Sequence, residues 1–108
     1  MTIKWVASDP LVMNGEPFCY GSRVTVRELL EMRRAGLTLV EILTEHPELR
    51  RMGIASAYAF AAGHPERYAA FLEADGSLAG PGYSEDEAAG LPDRLRIPGV
   101  VVKPGVAA

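Results

Sequence analysis

The run from Val24 to Ala62 reads VTVRELLEMRRAGLTLVEILTEHPELRRMGIASAYAFAA, and two strong breaks cut it into three helical patterns. No other stretch restricts the fold as much. Val26, Leu29, Leu30 and Arg33 recur at helical spacing, with charge on the other faces. Thr25 can cap this first helix. The pattern stops at Gly36, the residue best suited to the left-handed conformation that follows a helix end. Thr38 and Glu41 then form the Thr-x-x-Glu capping box of a second helix. That helix has Leu39, Ile42 and Leu43 as its apolar side. It must end near His46, because the residue before Pro47 is pushed out of helical geometry. A third pattern follows, with Met52, Ala55, Ala59 and Ala62 on one face, flanked by Ile54 and Tyr58. Three short helices with tight connections predict a compact trihelical unit, its last two members arranged like a helix-turn-helix.

The flanks are read from turn chemistry. Ile3 to Val6 alternates like a short strand, and Ser8-Asp9-Pro10 is a turn. Leu11 to Met13 reads as a second strand, followed by Asn14-Gly15, the preferred pair for a tight hairpin turn. Pro17 to Tyr20 is then the returning strand, with Pro17 at its start, where a missing N–H does least harm. Beyond Gly63, Pro65 suits the first position of a fourth helix with Tyr68, Phe71 and Leu72 on one side. Asp75-Gly76 ends it. The remainder changes character. SLAGPGY is a flexible linker by composition, and Ser84 to Glu87 is another capping box, held to one short turn by Gly90 and Pro92. Val100, Val101 and Val102 form a β-prone run suited to pairing with an exposed sheet edge. The expected organisation is a mainly α, trihelical domain over residues 1–76 with an N-terminal hairpin and a fourth helix, then an extended tail over 77–108.

Charge follows the same division. Up to Leu72 there are eight basic and eight acidic residues; from Glu73 onward six acids face three bases. An arginine-rich neutral body and an acidic tail suggest two different partners. The single cysteine, Cys19, excludes an internal disulfide framework and fits a reducing cytoplasm. The start lacks the apolar core of a secretory signal, and no run approaches the roughly 20 apolar residues of a spanning helix. A cytoplasmic protein with no membrane contact is expected.

The order of several short motifs resembles the bacterial family called domain of unknown function 433. The residues that carry the resemblance are Asp9-Pro10, Gly15-Glu16-Pro17, Gly21-Ser22-Arg23, Val24-Thr25-Val26, Gly36, Glu41-Ile42-Leu43, Pro47, Leu49 and Ile54 through Tyr58-Ala59. They span about two thirds of the chain. Ser22 stands where the family prefers Thr, His46 replaces the usual aromatic, and Arg50-Arg51 replaces a more acidic lead-in. The resemblance implies a homeodomain-like or winged trihelical fold. It also implies a VapB-like antitoxin that blocks a PIN-like nuclease toxin and binds its own operator as a homodimer.

Candidate site residues follow from both readings. Arg50 and Arg51, at the start of the third helix, suit the DNA backbone, and Ser56 on its outer face could reach a base edge. Arg27 joins them as a basic residue near the start of the first helix. The Ala-rich third helix otherwise lacks base-reading side chains, so DNA contact falls on shape and phosphate. Gly15, Pro17, Gly21, Gly36 and Pro47 are structural. Arg23 braces the Gly21 turn against Asp9 or Glu16, and Arg33 and Arg34 are favoured simply by lying at a helix C-terminus. In the tail, Glu85, Asp86, Glu87 and Asp93 could face a basic RNA groove while Val100 to Val102 pair with a strand edge. Catalysis finds no support: Cys19 lies in an apolar stretch, and His46 and His64 precede prolines at helix junctions. No metal or cofactor site is expected. The alternatives are a stand-alone regulator and a protein-interaction module without DNA binding.

Overall fold

The computed structural model describes residues 5–8, 15–19 and 22–103. Within these, the chain is mainly helical with one small antiparallel sheet. Helix α1 spans Val26–Arg34 and opens on a full capping box, Thr25 accepting from the Glu28 N–H while Glu28 reaches back to the Thr25 backbone. Its buried side is Val26, Leu29, Leu30 and Arg33. Helix α2, Leu39–Glu45, repeats the device with Thr38 and Glu41 and buries Leu39 and Ile42. Each box satisfies N–H groups that a helix start would otherwise leave open.

A 3-10 turn, Pro47–Leu49, leads into α3, Arg50–Ala62. Arg50, at φ 62°, is the one non-glycine in the left-handed region among the described residues, and it swings the chain between turn and helix. Helix α3 is the centre of the fold, packing on α1, α2, both strands and the turns around it. It buries Gly53, Ile54, Ala55, Ala57, Tyr58 and Ala61. The expected face is therefore rotated, with Met52, Ala59 and Ala62 only half-buried.

Strand β1, Val6–Ala7, pairs with β2, Phe18–Cys19, Val6 opposite Cys19 and Ala7 opposite Phe18. The expected strand at Leu11–Met13 and the turn residue Asn14 lie outside the described residues, as does Gly21. The fourth helix expected after Pro65 is not formed. Its place is taken by turns and a 3-10 segment, Ala69–Phe71. His64 gives no N-cap of the Ser, Thr, Asp or Asn kind, and Tyr68, at φ −119°, turns its ring fully into the core.

The largest correction concerns the tail. Leu78, Tyr83, Ala88, Leu91, Leu95, Val100, Val101 and Val102 belong to the same hydrophobic core as α1–α3, so the expected division at residue 77 cuts through shared packing. Helix α4, Glu85–Ala88, is the short turn foreseen there, with Ser84 and Glu87 as its capping box. The three valines are not a free strand. Val100, Val101 and Val102 direct their N–H groups at the Ile97 carbonyl, at 3.2, 2.9 and 3.1 Å, and Gly99 at φ 80° makes the turn. Pro98-Gly99 suits a type II turn, in which Pro is common at the second position and positive φ is needed at the third.

Candidate functional site

One side chain joins the two halves of the chain. Arg33 projects from the last turn of α1 and is fully buried. Its Nη1 donates to the Val100 carbonyl, and its Nη2 donates to the Leu78 carbonyl at 3.2 Å and the Gly99 carbonyl at 3.4 Å. The guanidinium lies over the Tyr58 ring, 4.6 Å from its centroid. No carboxylate pairs with it among the described residues, and its Nε has no acceptor. Burial lowers the Arg33 pKa, with Tyr58 pulling the other way; carbonyl dipoles and a ring face replace the counter-ion. The same burial pushes Tyr58 up to about 12.

The segment around Arg33 is shaped by that close approach. A Cβ on Gly80, at φ 98°, would overlap the Arg33 carbonyl, and one on Gly82 would lie 2.9 Å from the Val101 oxygen and 3.0 Å from Arg33 Nη2. Tyr83 then donates its hydroxyl to the Arg51 carbonyl and meets Tyr58 edge-on, ring centroids 6.1 Å apart. This brings α4 beside the first turn of α3. Arg51 Nη1 lies 3.5 Å from the Glu87 carbonyl.

The acidic residues are presented outward by this arrangement. Glu85, Asp86 and Asp93 are exposed. Asp93 pairs with Arg96, which also donates to the Leu91 carbonyl. Glu87 is half-buried, and its carboxylate accepts from the Ser84 N–H at 2.8 Å; that oxygen is committed to the cap. Of the proposed partner-binding residues, the acids remain surface groups and the valines are core.

The proposed DNA-binding set is dispersed. Arg50 and Arg51 are exposed at a helix start that has no side-chain cap. Ser56 is half-buried on a helix packed on most sides. Arg27 is tied into the fold: its Nε meets Glu16 Oε1 at 3.3 Å, its Nη2 donates to the Arg67 carbonyl at 3.1 Å, and it lies over the Tyr68 ring. Glu16, one of the two carboxylates expected to face Arg23, is clasped by Arg27 and Arg67; the other, Asp9, lies outside the described residues. Arg23 is exposed. Pro17 is buried and its carbonyl accepts from the Val26 N–H. Gly36, at φ 103°, follows the α1 C-cap, and Pro47 opens the 3-10 turn.

Burial pushes the Cys19 thiol up to about 12, the opposite of what a nucleophile needs. His64 Nδ1 lies 2.8 Å from the Phe60 carbonyl, its ring stacked on Phe60, and His46 sits 3.6 Å from Glu48. Among the described residues no group of three His, Cys, Asp or Glu is placed to hold a metal ion, and no helix is long and apolar enough to cross a membrane.

Fold and surface together define a small, mainly helical domain with one antiparallel strand pair and charged groups on its surface. Residues 6–61 match the family described as "Protein of unknown function (DUF433)", and the chain belongs to that family. No curated protein and no solved structure is significantly similar to it. The match ends within α3, so the segment that Arg33 anchors lies beyond it.

Proposed function

We propose that this chain is the antitoxin-like component of a bacterial toxin–antitoxin pair, a non-catalytic cytoplasmic protein that neutralises a PIN-like ribonuclease. The observation that carries this reading is the exposed array Glu85, Asp86 and Asp93, on a segment fixed to the helical body through Arg33. A nuclease groove that receives RNA is basic, and an acidic surface competes for it by charge complementarity. Holding the acids on an ordered segment lowers the entropy lost on binding. The valines take no direct part; they hold the array in place.

A second activity, operator binding as a dimer through a homeodomain-like helix-turn-helix, is favoured by the exposed Arg50 and Arg51 at the uncapped start of α3. With most of α3 packed inside the chain, such contact is made to phosphates rather than bases, and it weakens steeply with salt.

Co-expression with any small nuclease encoded beside this gene is the test. Recovery of a stable complex with suppressed RNA cleavage supports the reading. A nuclease that stays fully active at excess of this protein, or the lack of any such neighbour, refutes it.

A further inference from the structure

The first helix carries a basic row that neither activity uses as stated above. Arg27 and Arg34 stand seven residues apart on α1, two turns along one face and roughly 10 Å along the axis. Both guanidinium groups lie against the Phe71 ring, Arg27 at 5.8 Å and Arg34 at 4.7 Å from its centroid. Arg67 extends the row, because Arg27 and Arg67 grip the two oxygens of the same carboxylate, Glu16, at 3.3 and 3.0 Å. Arg34 is exposed and spends one N–H on the Ala70 carbonyl. The Arg27 and Arg67 side chains keep 40% and 41% of their exposure. Among the described residues Glu16 is the one carboxylate paired with these three arginines; Glu31 and Glu66 are exposed nearby and pair with none of them. Burial pushes the Tyr68 pKa up, with Arg67 and Arg27 pulling it the other way, and its buried hydroxyl makes no hydrogen bond among the described residues.

The start of α3 is a poorer place for an anion. Arg51 abuts the backbone of α4, whose first turn carries Glu85, Asp86 and Glu87. We propose that the row Arg34–Arg27–Arg67 is the surface through which this chain holds nucleic-acid phosphates, with Glu16 as an internal competitor for two of the three guanidinium forks. The arginine fork fits phosphate as it fits carboxylate, so a phosphate oxygen can replace Glu16. The proposal rests on the reading that this chain binds operator DNA, and it moves the phosphate contact from Arg50 and Arg51 at the start of α3 to this row.

The experiment is fluorescence anisotropy of a random-sequence DNA duplex titrated with the full chain across a range of salt. Circular dichroism melts confirm that each variant folds. Each phosphate contact contributes roughly 0.9 to the slope of log affinity against log salt. The double substitution Arg34→Gln with Arg67→Gln is expected to flatten the slope by about 1.8, whereas Arg50→Gln with Arg51→Gln leaves it unchanged. Glu16→Gln is expected to tighten binding, which loss of a purely structural ion pair would not do. An unchanged slope in the Arg34/Arg67 variant overturns the assignment; if the Arg50/Arg51 variant flattens it instead, operator binding stands and this surface falls. Should the native chain fail to bind the duplex even at low salt, both fall. A poly-glutamate peptide that binds as tightly, with the same arginine dependence, would assign the row to protein contact and also overturn the proposal.

Discussion

The guanidinium of Arg33, in the last turn of α1, donates to the carbonyl of Val100, 67 residues further along the chain. This bond, with those to Leu78 and Gly99, ties a segment beyond the family match to its helical core. A buried guanidinium held by carbonyls and a tyrosine ring is costly to remove, because the Leu78 and Val100 oxygens would then be left unpaired in the core.

Arg33→Ala is accordingly expected to destabilise the fold by roughly 2–6 kcal/mol, about 1–3 for each of the two orphaned carbonyls, with the loss concentrated in the C-terminal segment. Hydrogen exchange reads this directly. The Leu78 and Tyr83 amides, which donate to Gly99 and Val101 at 3.0 and 2.8 Å, should lose protection before those of α1. Retained protection at both amides would show that the segment docks without Arg33.

Two glycines separate close approach from backbone freedom. Gly80 and Gly76 both have positive φ, 98° and 88°, but a Cβ on Gly76 meets nothing while one on Gly80 overlaps the Arg33 backbone. Gly76→Ala should cost only the left-handed penalty of about 1–2 kcal/mol. Gly80→Ala should exceed it clearly, by about 2 kcal/mol or more. Thermal melts of the two variants side by side check the order; equal midpoints would contradict the packing around Arg33.

Stability should fall on the alkaline side. Cys19 and Tyr58 are raised from 9.0 and 10.0 to about 12 by burial, and Tyr83 is pushed up by the same cause. Between those values the unfolded chain has released protons that the native chain retains, so unfolding is favoured as pH rises from about 9 toward 12. Each such group contributes a slope of about 1.4 kcal/mol per pH unit within its window. Denaturant melts from pH 8 to pH 11 should show a steepening decline, and Cys19→Ala should remove its earliest part. A flat profile would mean that these groups are not buried as described.

Much of the fold was legible because its signals are local. Each capping box, Thr25 with Glu28, Thr38 with Glu41 and Ser84 with Glu87, uses two side chains three residues apart, and each formed. The buried side of α1 followed the spacing of Val26, Leu29, Leu30 and Arg33. The face of α3 was misread because its alanines give little contrast between one side and another. The role of Arg33 was not readable from side-chain pattern, since its acceptors are backbone carbonyls brought in from residues 78, 99 and 100. The glycines of SLAGPGY look like linker composition, yet Gly80 and Gly82 are there because Arg33 leaves no room for a Cβ. The turn at Pro98-Gly99 went unread because the β-prone valines after it pointed to a strand.

The acidic array is best tested by reversing its charge without touching the core. Glu85→Lys and Asp86→Lys together alter exposed side chains that make no ion pair among the described residues, while Asp93 is left to Arg96, so the melting midpoint should fall only modestly. With the native chain, cleavage of RNA by the neighbouring nuclease should stop near one equivalent; with the reversed chain, inhibition should weaken by at least about a hundredfold, about 2.7 kcal/mol. Equal inhibition by both chains would contradict the claim that this surface masks the nuclease.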